Sequence, residues 1–174
     1  MALTVLLGGA RSGKSRLALE LAGASGAPVT FLATGEARDD EMAERIERHR
    51  VERPAGWSTV EEPYAIEEAL GRIDPGDTVV LDCLTLWAAN ALERDGDPER
   101  VLESAASAAA VAAERPGLTV AISNEVGLGV VPATELGRVY RDLLGSVNRR
   151  WVEASAEAHL VIAGRSLPLE RIAP

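Results

Sequence analysis

Residues 6–21, LLGGARSGKSRLALEL, constrain the fold more than any other stretch of the sequence. They match the pattern G-x-x-x-x-G-K-[ST] directly after an apolar run and at the start of a helical one. Glycines let the backbone curl so that several N–H groups point at phosphate oxygens, and the helix dipole favours an anion there. The segment therefore predicts a phosphate-binding loop made of Gly8, Gly9, Ala10, Arg11, Ser12, Gly13, Lys14 and Ser15.

Two side chains of this loop have predicted roles. Lys14 would reach the β- and γ-phosphates, and the Ser15 hydroxyl would bind Mg²⁺. Lys14 is the only lysine among the 18 basic side chains; the others are arginine. Because an arginine fork does not replace a compact ammonium in a phosphate cradle, this usage favours a ligand-binding loop over a glycine-rich turn without ligand.

Short apolar runs alternate with helical segments along the whole chain. The predicted strands are Leu3–Leu7, Val29–Ala33, Thr78–Leu81, Leu118–Ile122 and Leu160–Ala163, with a further short strand near Trp57–Glu61. The predicted helices cover residues 14–24, 39–52, 63–72, 84–94, 98–114 and 134–155. Apolar strands of this kind suit a sheet buried on both faces, and the alternation implies right-handed crossovers. We predict one α/β domain over residues 1–174, P-loop NTPase-like, with a mainly parallel sheet flanked by helices.

Composition excludes several classes of protein. The net charge of −9 argues against a nucleic-acid binder, which usually has a basic face. The single cysteine, Cys83, excludes an internal disulfide, and with two histidines it is too little for a structural zinc site. The start, MALTVLL, lacks a basic segment of the signal-peptide type, and no apolar run approaches the roughly 20 residues that span a bilayer. We expect a cytoplasmic protein without a membrane span.

Asp82 follows the apolar run Thr78–Leu81, as the carboxylate of a Walker B strand does. Such a carboxylate faces the phosphate loop and holds the metal, often through water. Capping of the next helix is the alternative role. Because no N-K-x-D occurs and no D-x-x-G closely follows Asp82, the chain resembles a small transferase more than a GTPase switch.

The segment EARDDEMAERIERHRVERPAGW, residues 36–57, contains a histidine among arginines. On a helix, Met42, Ile46, His49 and Arg53 share one face, with Arg50 beside them. An imidazole flanked by guanidinium groups suits a polyphosphate, and neutral imidazole can attack phosphorus near pH 7. A helix-end histidine among solvated arginines is the alternative, and spacing alone favours that alternative.

Five segments in order carry a resemblance to one family: GGARSGKS, ATGEARDDEM, RHRVERPAGWSTVEEP, DCLTLWAAN and SNEVGLGVVP. Together they make the chain, from Leu6 to about Leu169, similar to the bifunctional adenosylcobinamide kinase/adenosylcobinamide-phosphate guanylyltransferases of cobalamin biosynthesis. The resemblance implies that GTP or ATP first phosphorylates the aminopropanol hydroxyl of adenosylcobinamide. It further implies that GMP passes from GTP, through a guanylylated histidine, to adenosylcobinamide phosphate, with release of pyrophosphate.

The resemblance also implies individual roles. His49, and not His159, matches the guanylylated histidine. The matching nucleotide-binding positions are Ala33, Thr34, Gly35, Arg50, Val51, Glu52, Arg53, Glu61 and Asp82. The family often has glutamate at position 82. The aspartate of this chain is one carbon shorter, so a direct contact of residue 82 with the nucleotide site does not follow from the resemblance alone. Family members form ring-like homotrimers, and we expect one here.

Guanine recognition needs a carboxylate that accepts from N1–H and the exocyclic amine, since N-K-x-D is absent. Glu61, at the end of a short predicted strand, is the candidate, and Glu62 is the neighbouring alternative. The alternative is that Glu61 is a solvent-exposed residue at the end of a strand, without a role in binding, and the sequence alone favours this alternative.

The stretch Ser123–Pro132, SNEVGLGVVP, follows a predicted strand, where open α/β sheets carry ligands. We predict that Glu125 faces the metal or activates the cobinamide hydroxyl, and a turn with a solvated glutamate is the alternative. In the next helix Arg138, Arg141, Asp142, Gly145 and Asn148 form a polar stripe. Because a mid-helix glycine costs about 1 kcal/mol relative to alanine, Gly145 predicts close approach by substrate, another helix or another subunit.

Other residues are expected to serve the core. Trp57, Trp87 and Trp151 are predicted core or interface residues, and His159 is predicted to be structural. Two other functions stay open at this point. One is a P-loop small-molecule kinase without nucleotidyl transfer, and the other is a GTP-binding regulatory module.

Overall fold

The computed structural model describes residues 3–51 and 53–172, without the side chains of residues 45 and 49. Strands and helices alternate along most of this length. They are β1 (Leu3–Leu7), α1 (Lys14–Ala24), β2 (Val29–Ala33), α2 (Asp40–Val51), β3 (Ser58–Glu61), α3 (Ile66–Arg72), β4 (Thr78–Asp82), α4 (Leu84–Asp95), α5 (Pro98–Glu114), β5 (Thr119–Ile122), α6 (Glu135–Ala154), β6 (Glu157–Ile162) and β7 (Arg165–Pro168).

The strands form one sheet in the order β3-β2-β4-β5-β1-β6-β7. Every neighbouring pair is parallel except β6 and β7, which are antiparallel. Because parallel strands end at the same edge of a sheet, the segments that follow β1, β2, β4 and β5 all lie at that one edge. The predicted mainly parallel α/β architecture is confirmed.

Helices cover both faces of the sheet. The larger core packs α3, α4, α5 and α6 on one face, and a smaller cluster beneath α1 covers the other. Trp87 and Trp151 are among the largest fully buried side chains, as predicted, and Trp57 packs half-buried against the smaller cluster. The alanine-rich part of α5 buries Ala105, Ala108, Ala109 and Ala112, whose small side chains permit close packing.

Helix α3 begins at Ile66 instead of residue 63, and strands β6 and β7 also differ from the sequence predictions. Strand β7 was not predicted, because Arg165–Pro168 lacks an apolar run; it is fully exposed and ends in a proline, as an edge strand can. Strand β6 begins at Glu157 instead of Leu160, since backbone pairing with Thr4 does not require an apolar side chain. A Cβ built at Gly145 meets no other described group within 4 Å, so of the three predicted neighbours another helix of the chain is excluded, and substrate or another subunit stays a prediction.

Arg115 stabilises the segments that precede β4 and β5, at the edge of the sheet opposite to the phosphate loop. It is only 7% exposed, and its two terminal nitrogens donate to the carbonyl oxygens of Leu70, Ile73, Asp74 and Asp77, at 2.7 to 3.2 Å. These carbonyls belong to the end of α3 and the turn before β4. One buried side chain thus joins that turn to the end of α5. Among the described residues no helix has the length and apolar character needed to cross a membrane.

Replacement of Arg115 by methionine should lower the free energy of unfolding by about 3 kcal/mol, because several buried carbonyls lose a charged donor. Urea denaturation of the purified protein measures this change. Arg72→Met removes an exposed guanidinium of the same region, whose contacts among the described residues are with Glu68 of the same helix, and should change stability by less than about 0.5 kcal/mol. Equal losses in the two variants would contradict the role given to Arg115.

Candidate functional site

The loop between β1 and α1 has the backbone that a phosphate-binding loop requires. Gly8 and Gly13 adopt φ values of 150° and 104°, and Gly13 directly precedes α1. A Cβ at Gly8 would collide with the carbonyl oxygen of Val161, so glycine is required there by space as well as by conformation. The first turn of α1 contains no acidic residue, which leaves its N-terminus favourable for an anion.

Lys14 lies inside this loop. The residue is 7% exposed, and its Nζ donates to the carbonyl oxygen of Gly9 at 2.8 Å and to Ser12 Oγ at 3.4 Å. The loop is therefore folded around an ammonium group. Gly9, Ala10 and Arg11 form its exposed rim.

Ser15 and Asp82 line the same open cavity of about 380 Å³, together with Arg16, Leu19, Glu20, Phe31, Arg53 and Ile122. Asp82 reaches this place because β4 ends there, in register with Ala33 of β2 and Ile122 of β5. A hydroxyl and a carboxylate are hard oxygen donors of the kind that Mg²⁺ takes in combination with phosphates and water. The two predicted metal ligands therefore lie together, and their chemistry fits that ion.

Arg53 covers part of this cavity. Its guanidinium carbon lies 3.8 Å from the centroid of the Phe31 ring, and Nη1 donates to Thr59 Oγ1 at 3.2 Å. Desolvation by burial lowers the pKa of Arg53, while the charge of Asp82 raises it. The side chain stays cationic, since arginine remains protonated in proteins, and it adds positive charge beside Asp82. The prediction that it continues the face of α2 is wrong, because α2 ends at Val51.

The segment after β2 is tied to the segment after β4. The Thr34 hydroxyl donates to the Cys83 carbonyl oxygen at 2.7 Å and accepts from the Cys83 N–H at 2.8 Å; the Asp82–Cys83 peptide is cis. The Thr34 side chain is fully buried, so its hydroxyl serves the fold. Ala33 and Gly35 on either side of it are half-buried.

Asn90 of α4 is a residue of this region that the sequence reasoning missed. Its Nδ2 donates to the carbonyl oxygens of Thr34, at 2.9 Å, and Pro63, at 3.3 Å, and its Oδ1 accepts from Arg38 at 3.2 Å. One buried carboxamide thereby holds the segments after β2 and β3 together. The available signal was an asparagine closing the run DCLTLWAAN in an otherwise apolar helix.

Helix α2 carries His49 to the same edge of the sheet. The Asp39 carboxylate accepts from the Met42 N–H at 2.7 Å near its start, and a Cβ built at Gly35 would lie 3.5 Å from Ile46 Cδ1. Residue 49 follows Ile46 by three positions in this helix; its side chain lies outside the described atoms, as does all of Glu52. Val51 closes the helix and is exposed.

Arg50 joins the end of α2 to the end of β3. Its guanidinium forms an ion pair with Glu61 and a longer one, 3.4 Å, with Glu47. Glu62 has a different role: its Oε1 accepts from the backbone N–H groups of Tyr64 and Ala65, at 3.0 and 2.9 Å. These bonds hold Glu62 at the start of α3, whereas Glu61 is exposed and, among the described residues, forms an ion pair with Arg50, which is also exposed.

The segment after β5 lies against the phosphate loop. The Glu125 N–H donates to the Gly8 carbonyl oxygen at 3.2 Å, and the Glu125 carboxylate accepts from the Gly127 N–H at 2.9 Å. Glu125 is therefore held beside the loop that would bind triphosphate. Asn148, predicted on a polar stripe with Arg138, Arg141 and Asp142, is instead 3% exposed and bonds to this segment.

His159 lies within the sheet and not at its carboxyl edge. It pairs in register with Leu6 of β1 and Pro168 of β7. Its Nε2 is 3.6 Å from a Glu157 carboxylate oxygen. This position within two strand ladders agrees with the structural role predicted for it.

Solved structures show the same fold. An ATPase of the type III secretion system of pathogenic bacteria superposes with a TM-score of 0.58 at 14% identity. The similarity covers 96% of this chain and 56% of that ATPase chain. At this identity the similarity concerns the P-loop ATPase fold alone.

Relatives in sequence are much closer. A protein of Pseudomonas aeruginosa named bifunctional adenosylcobalamin biosynthesis protein CobP is 44% identical, over 95% of this chain and 96% of its own. Proteins of Escherichia coli and Salmonella typhimurium, both named bifunctional adenosylcobalamin biosynthesis protein CobU, are 38% and 37% identical, over 93% of this chain and 96% of their own.

The family model for cobinamide kinase / cobinamide phosphate guanyltransferase matches residues 4–169. That range contains the phosphate loop, α2, Glu61, Asp82 and the segment after β5. The chain therefore belongs to the cobinamide kinase/cobinamide phosphate guanyltransferase family.

Proposed function

We propose that this protein phosphorylates adenosylcobinamide with GTP or ATP and then transfers GMP from GTP to adenosylcobinamide phosphate, releasing pyrophosphate. One observation supports this most. A phosphate loop closed around Lys14 lies at the same sheet edge as the helix that carries His49, and that helix is held there through Ile46 and the Arg50–Glu61 pair. A nucleophile and a polyphosphate cradle at one edge are what nucleotidyl transfer needs.

In the transfer step, neutral His49 attacks the α-phosphorus of GTP. A phosphorus–nitrogen bond forms, the bond between the α-phosphorus and the bridging oxygen breaks, and pyrophosphate leaves with the negative charge. The backbone N–H groups of residues 8–15 and the Lys14 ammonium would hold and neutralise this leaving group. A phosphate oxygen of adenosylcobinamide phosphate then attacks the same phosphorus and restores the free imidazole.

In the kinase step, the same loop holds the triphosphate, and the aminopropanol hydroxyl attacks the γ-phosphorus. An oxygen–phosphorus bond forms, the bond between the γ-phosphorus and the β,γ-bridging oxygen breaks, and the nucleoside diphosphate leaves. We assign the proton of that hydroxyl to the Glu125 carboxylate, which is held beside Gly8 by its own backbone N–H. Ser15 and Asp82 would hold Mg²⁺, whose positive charge would neutralise charge on the β- and γ-phosphates. Both reactions use nucleoside triphosphates of the cytoplasm, so we place the protein there.

We expect His49→Ala to abolish covalent labelling of the protein by GTP labelled at the α-phosphorus, because no other group would form the phosphorus–nitrogen bond. The label should be acid-labile, as a phosphoramidate is, and peptide mapping should locate it at residue 49. Phosphorylation of adenosylcobinamide by the same variant should stay within about threefold of the wild-type rate, since the γ-phosphoryl transfer does not use the imidazole.

Two variants serve as comparisons for that experiment. His159→Gln alters the other histidine, which lies within the sheet, and should label normally. Lys14→Ala should lower both labelling and phosphorylation by about 100-fold or more, because both steps use one cradle. Undiminished labelling in His49→Ala would contradict the nucleophile, and wild-type protein that never labels would favour a kinase without nucleotidyl transfer or a regulatory module.

Glu61→Gln should lower the preference for GTP over ATP in protein labelling by about tenfold or more, since a charged acceptor for the guanine N–H groups is lost. The measurement is the ratio of the labelling efficiencies with the two nucleotides. Glu62→Gln is the matched control: it weakens the cap at Tyr64 and Ala65 and should leave the ratio unchanged. A lower ratio in Glu62→Gln together with an unchanged ratio in Glu61→Gln would assign guanine recognition to Glu62.

We extend the proposal to a homotrimer. Within the described ranges 3–51 and 53–172, strand β7 is the last strand of the sheet, and large apolar side chains in it or near it in sequence are exposed: Ile162, Leu167, Leu169 and Ile172. Unpaired edges and apolar patches of this kind support association between subunits.

Sedimentation equilibrium should give a mass of three times the 18.4 kDa of the chain. Leu167→Glu should shift this mass towards that of one chain, because it places a charge on the apolar surface beside β7. A monomeric wild type would contradict the trimer, and a trimer insensitive to the substitution would contradict this surface.

A further inference from the structure

We propose that Asn148 is a positioning residue for the kinase step, holding the turn of Ser123, Asn124 and Glu125 against the phosphate loop. This inference rests on the proposed function and adds a residue to it. Asn148 lies in the middle of α6, far along the chain from every residue given a catalytic or binding role above. Its influence would pass through the backbone of the turn.

The carboxamide of Asn148 contacts the turn with both of its ends. Its Oδ1 accepts from Ser123 Oγ at 2.6 Å, and its Nδ2 donates to the Asn124 carbonyl oxygen at 3.0 Å. Ser123 is fully buried and Asn148 is 3% exposed. Buried polar groups cost free energy unless they are hydrogen-bonded, so these bonds favour one arrangement of the turn.

A second anchor reaches the turn from α4. Thr85 Oγ1 accepts from the Asn124 N–H at 2.8 Å and lies 3.5 Å from Ser123 Oγ. The Tyr140 hydroxyl of α6 donates to the Thr85 carbonyl oxygen at 3.0 Å, and burial raises the pKa of Tyr140, which keeps that proton in place. Since Thr85 follows Asp82 by three residues, this anchor also joins the ends of β4 and β5.

Two backbone hydrogen bonds place the turn beside the phosphate loop. The Ser123 N–H donates to the Leu6 carbonyl oxygen at 2.9 Å, and the Glu125 N–H donates to the Gly8 carbonyl oxygen at 3.2 Å. The first bond extends the ladder between β1 and β5, and the second reaches the first residue of the loop. A displacement of Asn124 would therefore move Glu125 relative to the site of the γ-phosphate.

The surroundings of Asn148 do not require a polar residue for packing. Its neighbours along α6, Leu144, Val147 and Trp151, are completely buried and apolar. The packing of this helix face alone does not call for a carboxamide among them. An apolar side chain could not form the two hydrogen bonds of Asn148 to the turn. We assign to these bonds the positioning of Glu125.

The test compares Asn148→Ala and Asn148→Asp with wild-type protein in two separate reactions. Aspartate keeps an acceptor for Ser123 but loses the donor to the Asn124 carbonyl. We expect both variants to lower kcat for adenosylcobinamide phosphorylation by about tenfold or more, because small misplacements of a catalytic group are costly. KM for the triphosphate, and the single-turnover rate of labelling by GTP without corrinoid, should stay within about threefold.

Val147→Ala is the matched control, since it opens a cavity at the adjacent, equally buried position and removes no hydrogen-bonding group. It should retain phosphorylation within about threefold of wild type. Ser123→Ala, which deletes only one hydroxyl, provides a milder variant should Asn148→Ala fail to fold, and it too should lower kcat selectively.

The outcomes separate the two proposals. Full phosphorylation in a folded Asn148 or Ser123 variant, equal loss in Val147→Ala, or parallel loss of both reactions would overturn the positioning role alone. Wild-type protein without either reaction would overturn the proposed function and this role with it.

Discussion

Two backbone hydrogen bonds fix the phosphate loop from opposite sides, and the site depends on them. The Glu125 N–H donates to the Gly8 carbonyl oxygen at 3.2 Å, and the Gly164 N–H donates to the Ser12 carbonyl oxygen at 2.8 Å. These partners follow β5 and β6, the two strands that flank β1 in the sheet. The conformation of the loop is therefore set by the order of the strands as well as by its glycines.

The parts of the site differ in how firmly they are held. Bonds from Thr34 and Asn90 join the segments that follow β2 and β4, and Asn148 ties the segment after β5 to α6. Helix α2, in contrast, has no fully buried residue among those whose side chains are described, and its link to Glu61 is an exposed ion pair. Exposed pairs contribute about 0–1 kcal/mol, so a polyanion can compete with Glu61 for Arg50 at little cost.

Sequence reasoning succeeded where a residue determines the structure of its own segment. The glycines and the lone lysine of residues 8–15 specify the loop by conformation and charge, and apolar runs locate the inner strands. It failed where the partner is distant in the chain. Asn148 bonds to residues more than twenty positions away, and helical periodicity, which groups it with exposed arginines, does not show what covers that face. Glu61 and Glu62 are adjacent and chemically identical, so only the fold shows that Glu61 forms an ion pair with Arg50 and that Glu62 accepts from backbone N–H groups before α3.

Strand order also suggests how one cradle can serve two chemistries. In the proposed reactions the γ-phosphate and the α-phosphate of one nucleotide must each meet a different group. The turn carrying Glu125 follows β5, the immediate neighbour of β1, whereas α2 follows β2, three strand spacings away, or roughly 14 Å. Asp82, at the end of β4, lies between them. A triphosphate that runs from the loop past Asp82 towards β2 would thus present its γ-end to Glu125 and its α-end to the helix of His49. In the proposed reactions the separation of the two activities would then follow from the sheet, because an acceptor beside β5 and a nucleophile beside β2 would reach opposite ends of the same ligand.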